Sequence, residues 1–228
     1  LNSLIILYSI FLLPGLSKKS QALILLTIFI ELITSLQNTQ SNALLTGLVI
    51  LAFVNLEKEN YGLGTLLIAL SVFIKLFGLV AVILFIFYPR KVKLTGYFIL
   101  WSVLLFFLPV IFTGLSGFRE LYLNWFDLIS SDHTASFGLS VMGWINAWFN
   151  IELDKLVTMA VGAILLCLPL LRINRYQDYG FRILTLASLL IWVIIFNHKS
   201  ESPTFIIAMT GISIWFYFQP INKINLVL

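Results

Sequence analysis

Tyr61-Gly62-Leu63-Gly64-Thr65-Leu66-Leu67-Ile68-Ala69-Leu70-Ser71-Val72-Phe73-Ile74-Lys75-Leu76-Phe77-Gly78-Leu79-Val80-Ala81-Val82-Ile83-Leu84-Phe85-Ile86-Phe87-Tyr88 is apolar from end to end except for one cation near its middle, Lys75. Pro89-Arg90-Lys91-Val92-Lys93 stops it sharply. Two geometries accommodate the run. In one, two short helices of about 13 residues, roughly 20 Å each, turn back near Lys75-Leu76-Phe77-Gly78 and start and finish on the same side. Each arm is then shorter than the roughly 30 Å hydrocarbon core of a bilayer, which is tolerated where broken helices are buried in protein or line a wet cavity. In the other, one tilted helix of about 27 residues spans the bilayer and leaves Lys75 near its centre, at a cost of about 2.5–3.5 kcal/mol. The topology below favours the broken hairpin. Either way Lys75 is an intramembrane cation and marks a functional site. The bland alternative is a Lys75–Glu31 ion pair that merely ties two helices together.

The rest of the chain has the same character. It is 60% hydrophobic and 11% charged, with a mean hydropathy of +1.02, whereas soluble domains run at about 45–50% apolar and 25% charged. The runs are continuous rather than alternating, which argues against a β-barrel. The reading is an all-α, polytopic transmembrane bundle, with residues 1–228 as one domain. A single cysteine, Cys167, excludes an intrachain disulfide, and with only His133 and His198 beside it no zinc site is visible. The chain opens on Leu1 inside an apolar segment, so it reads as the C-terminal part of a longer protein.

The segments are Leu1–Leu16, about Gln21–Leu36, Asn42–Leu56, the run 61–88, Leu94–Thr113, Lys155–Leu171, Ile183–Phe196 and Thr204–Phe218. Basic residues fall in the linkers 18–19, 89–93 and 172–182 and in the tail, which belong inside by the positive-inside rule. The region 114–154 sets Arg119 against Glu120, Asp127, Asp132, Glu152 and Asp154 and faces outward. With Lys18 and Lys19 also inside, the link 36–42 is outside, Glu57-Lys58-Glu59 is inside, and 61–88 must begin and end on one side.

The link Ser35-Leu36-Gln37-Asn38-Thr39-Gln40-Ser41-Asn42 carries four amides and no charge. Such a surface hydrogen-bonds a polyhydroxylated or anionic group, or simply satisfies helix ends. Gln40, Asn42, Lys75, His198, Lys199 and Ser202 all fall on the outward side and form the candidate substrate-binding set. Phe118–Ile129 and Leu139–Phe149 read as aromatic interfacial helices, either roofing a groove or anchoring in the headgroup layer. Ser130-Ser131-Asp132-His133-Thr134 holds the residue types of a hydrolytic triad, but neighbours in a loop lack the scaffold that fixes one.

These parts, in this order, resemble glycosyltransferase family 87, also described as domain of unknown function 2029. The family's G-Q-x-N-like link is represented by Thr39-Gln40-Ser41-Asn42, with Thr in place of Gly. Its Lys-Pro break is represented by Ile74-Lys75-Leu76, without the proline, so the break rests on Gly78 and the charge. The basic cluster Arg90-Lys91-Val92-Lys93 and the late Ser202-Pro203 link complete the pattern. The resemblance implies a GT-C-class enzyme that takes a hexose, mannose foremost, from a polyprenyl-phosphate donor to a lipid or glycan acceptor. It implies work at the outer face of a bacterial cytoplasmic membrane, without a cofactor or metal. It also implies a catalytic carboxylate in a first outward loop, expected upstream of Leu1. The alternative is a transporter or flippase for lipid-linked glycans, for which broken helices and an intramembrane lysine are equally apt.

Overall fold

The computed structural model describes residues 1–130, 138–197 and 200–220, and the described residues are helical with no strand among them. Helix α4 (Asn42–Glu57) is the hub. It buries 13 of its 16 residues, and α1 (Asn2–Leu12), α5 (Tyr61–Ile74), α10 (Tyr179–Ile195) and α11 (Phe205–Phe218) pack round it. A helix apolar on every side belongs in the centre of a bundle. The neighbours approach closely where side chains are small. A Cβ on Gly47 would lie 2.9 Å from the Ile6 backbone nitrogen of α1, and one on Gly211 would lie 2.6 Å from the Ala187 carbonyl of α10. Small residues at crossings are the packing device of helices that lack a hydrophobic drive toward each other.

The run 61–88 is a broken hairpin. Helix α5 ends at Ile74, Lys75 is extended (φ −149°, ψ 138°), and a 3-10 helix, Leu76–Phe87, leads back. The rings of Tyr61 and Tyr88, at the two ends of the run, lie 6.2 Å apart, so it starts and finishes on the same side. The returning arm explains its own form. A 3-10 helix eclipses side chains at i and i+3, and its buried residues include Gly78, Ala81, Leu84 and Phe87, three apart. They grow in size away from the tip, and at Gly78 the arm approaches the backbone of α5 at Ser71 and Val72. At about 2.0 Å per residue the 12-residue arm is roughly 24 Å long, matching the roughly 21 Å of the 14-residue α5. The sequence rests the break on Gly78 and on the charge of Lys75 together. The extended residue is Lys75, and Gly78 is where the second arm meets the first, with an added Cβ clashing with the Ser71 Oγ.

Two expected segments are bent. Gln21–Leu36 is α2 (Lys18–Thr27) and α3 (Phe29–Gln37), meeting at 46°. The Thr27 hydroxyl donates to the Leu23 carbonyl just before the bend, a back-bond that bends helices. Leu94–Thr113 divides into α6 (Lys91–Phe107) and α7 (Val110–Ser130), at 82° to each other. Pro109 stands between them, lacking the N–H that would continue α6. Among the described residues no single helix is long and apolar enough to cross a membrane, while these two bent pairs meet that test by length and composition. Helix α8 (Val141–Phe149) coincides with the second expected aromatic stretch, and α7 contains the first. Helix α9 (Lys155–Cys167) flanks α10. Large apolar side chains lie exposed along α6, α7 and α9, including Ile99, Phe112, Leu156 and Ile164. A surface of that kind is suited to a lipid environment.

At the end of the bundle away from Lys75, Glu57 and Arg182 form a bidentate ion pair, both contacts at 2.7 Å and both side chains largely buried. The Tyr88 hydroxyl donates to the same carboxylate at 2.7 Å. This pair fastens the ends of α4 and the 3-10 arm to the start of α10. Nothing in the sequence reading singled it out.

Candidate functional site

The site is built on a helix end. Helix α3 closes with the Gln40 N–H bonding the Ser35 carbonyl and the Thr39 N–H bonding the Leu36 carbonyl, while Thr39 sits at φ +52°. This is the paired bonding of a Schellman cap, whose left-handed position ordinarily takes glycine. The cap reverses the chain so that Gln40 and Asn42 face the hairpin tip. Asn2, at the start of α1, donates to the Gln40 carbonyl and steadies the turn.

Asn42 is fully buried and uses both ends of its amide. Its Nδ2 donates to the Pro203 carbonyl and to Gln40 Oε1, both at 2.7 Å, and its Oδ1 accepts from Lys75 Nζ at 2.7 Å. Lys75 Nζ also donates to Gln40 Oε1 at 3.1 Å. Gln40 Nε2 in turn faces Glu201 Oε2 at 3.4 Å. Three of the residues singled out in the sequence therefore form one network, although Lys75 lies 33 and 35 positions from its two partners.

The charge state of this network matters most. Among the described residues the ion pairs are Arg175–Asp178 and Arg182–Glu57. Lys75 is held by neutral amide oxygens and lies over the Phe77 ring, with no carboxylate among the described residues, Glu31 included, in salt-bridge contact. An ammonium has three donors, and the amides take two. The third remains for a ligand, and no described carboxylate closes on the ammonium as an ion pair.

Lys75 also lines a cavity of about 420 Å³ between the hairpin tip and the angle of α6 and α7. The rest of that lining is mostly apolar, with Leu105, Phe106, Leu121, Tyr122 and Trp125 on the far wall. Aromatic contacts set this wall: the Phe106 and Tyr122 ring centroids lie 4.4 Å apart, and the Tyr122 hydroxyl donates to the Phe106 carbonyl at 3.0 Å. A second, apolar groove of about 430 Å³ runs along the other side of the 3-10 arm, toward Met159 and Trp192.

Ser202 is exposed and outside the network; its loop reaches the site through the Pro203 carbonyl and Glu201. His198 and Lys199 lie outside the described residues, as do Asp132 and His133. Glu201 was not foreseen, and its only signal was its place just before Ser202-Pro203. The loop also carries α8: the Leu139 N–H bonds the Ser200 carbonyl at 2.7 Å.

The model of glycosyltransferase family 87 matches residues 1–211. The chain belongs to that family. No curated protein and no solved structure matches it. Membership makes the chain a glycosyltransferase of a membrane family, which implies a sugar donor and an acceptor. Thr39 itself holds the left-handed position of the α3 cap, at φ +52°.

Proposed function

We propose that this family 87 protein transfers a hexose, mannose foremost, from a polyprenyl-phosphate donor to a lipid or glycan acceptor. The reaction takes place at the outer face of a bacterial cytoplasmic membrane. The observation that carries the reading is Lys75: an ammonium with no ion-pair partner among the described residues, fixed by Gln40 and Asn42 at the lip of an apolar cavity. A polyprenyl phosphate has complementary chemistry, an anionic head on an apolar chain. The phosphate takes the free donor of Lys75, and the first isoprene units lie against Leu105, Phe106 and Trp125.

The chemistry follows from that placement. The bond between the anomeric carbon and the phosphate oxygen breaks, its electron pair passing to the phosphate. Lys75 stabilises that departing charge from a position fixed beforehand, which avoids reorganisation during the reaction. The acceptor hydroxyl oxygen forms the new glycosidic bond, and its proton passes to a carboxylate base. The lysine supplies a counter-charge to that phosphate. His198, Lys199 and Ser202 are proposed to border the same outward mouth.

The test follows transfer from radiolabelled polyprenyl-phosphate-mannose in proteoliposomes holding the full-length protein, with wild type against Lys75→Ala. Wild-type transfer that collapses in the variant, at equal protein in the membrane, supports the reading. Equal transfer in both removes Lys75 from the site. No transfer from any lipid-linked sugar overturns the donor assignment.

A further inference from the structure

Glu201 stands across Gln40 from Lys75, and the two opposite charges share one network without closing on each other. Gln40 keeps them apart: its Oε1 accepts from Lys75 at 3.1 Å, and its Nε2 faces the Glu201 carboxylate at 3.4 Å. Long side chains of opposite charge this near would ordinarily collapse into a pair. The intervening amide instead leaves the lysine with a free donor and the carboxylate with free lone pairs. Glu201 also caps the 3-10 helix Ser202–Thr204, accepting from the Thr204 backbone. An ionised carboxylate has about four acceptor sites, so the cap and Gln40 leave it room for a ligand. The residue is solvent-exposed, on the open side of the network.

From this geometry we infer that Glu201 is a binding residue for the transferred sugar, accepting hydrogen bonds from its ring hydroxyls while Lys75 holds the phosphate. The inference rests on the donor proposed above and gives it a direction. A glycosyl phosphate is an anion at one end and a set of hydroxyl donors at the other. The site presents the complement, a donor cation and an acceptor carboxylate, spaced by one glutamine amide. The apolar cavity on the far side of Lys75 then takes the lipid chain, and the sugar lies toward the Ser202-Pro203 loop. The Gln40 side chain is thereby a spacer that sets the distance between the phosphate and sugar subsites.

The experiment compares two ligands on purified full-length protein in nanodiscs: polyprenyl phosphate and the same lipid carrying mannose. Wild type is expected to bind the glycosylated lipid about tenfold more tightly, as charge-assisted hydrogen bonds to hydroxyls provide. In Glu201→Ala that preference disappears, while binding of bare polyprenyl phosphate is not weakened. Lys75→Ala weakens both. Glu201→Gln retains an acceptor for the Thr204 cap, so a reduced preference there cannot be ascribed to a lost cap. A preference intact in both Glu201 variants overturns the inference and leaves the donor reading standing. Failure of wild type to bind either lipid overturns both.

Discussion

Replacing Gln40 with glutamate separates fold from function at this site. Both oxygens that now bind Lys75 are kept, since a carboxylate accepts from Lys75 and from Asn42 Nδ2 as Gln40 Oε1 does, at 3.1 Å and 2.7 Å. The 3.4 Å contact to Glu201 becomes two facing carboxylates, a repulsion that solvent screens at the exposed Glu201. The new pair with Lys75 offsets it, so the fold tolerates the change, and the Lys75 ammonium gains a true counter-ion. For a bound phosphate the consequence is severe. A carboxylate about 4 Å from the phosphate repels it by about 4 kcal/mol at the effective dielectric of such sites. At about 1.4 kcal/mol per tenfold, that is two to three orders of magnitude in donor affinity. Gln40→Glu is thus expected to keep or raise the thermal midpoint while donor KM rises at least a hundredfold. The assay pairs a thermal melt in detergent with donor titration in proteoliposomes. A stable variant with wild-type donor KM would refute the claim that the uncompensated charge of Lys75 holds the donor.

Three further outcomes follow from the packing. Gly78→Leu forces a side chain into Ser71, where even a Cβ would sit 2.2 Å from Oγ. It should prise the hairpin open, costing about 1–3 kcal/mol by thermal melt and displacing Lys75, so activity falls with stability. Glu57→Ala strands the largely buried Arg182 and should cost about 3–5 kcal/mol. Arg175→Ala removes only the exposed contact to Asp178 and should shift stability by under about 1 kcal/mol in the same melt. Single cysteines in a Cys167→Ser background test the hairpin's topology with an impermeant thiol reagent. Those replacing Lys58 and Arg90 should react from one side of the membrane and that replacing Asn38 from the other. Labelling of Lys58→Cys and Arg90→Cys from opposite sides would restore the single tilted helix.

Much of this arrangement was legible in the sequence because it rests on composition and order. An unbroken apolar run with one lysine, closed by Pro89 and a basic cluster, admits few geometries, and the positive-inside count selected the hairpin that the Tyr61–Tyr88 contact displays. Gln40 and Asn42 stood out because the link that holds them carries four amides and no charge. Their convergence on Lys75 could not be read, since it depends on how the α3 cap turns the chain. The 3-10 form of the second arm was hidden too: its spacing of three, from Gly78 to Phe87, is masked when every neighbouring residue is also apolar. The bend at Ile28 and the turn at Pro109 divided segments that hydropathy alone joins. The Glu57–Arg182 pair, 125 residues apart, has no local signal at all. Glu201 escaped notice because a lone carboxylate before a Ser-Pro link looks like ordinary loop.

In the proposed function Lys75 holds a lipid phosphate whose chain lies between the hairpin tip and the α6–α7 angle. A polyprenyl phosphate with a photoreactive group on its first isoprene unit maps that position, with the labelled peptides identified by mass spectrometry. Adducts are expected on the wall formed by Leu105, Phe106 and Trp125, lost in Lys75→Ala and competed away by unlabelled polyprenyl phosphate. Adducts confined to the opposite groove beside Met159 and Trp192, or unchanged labelling in Lys75→Ala, would contradict it.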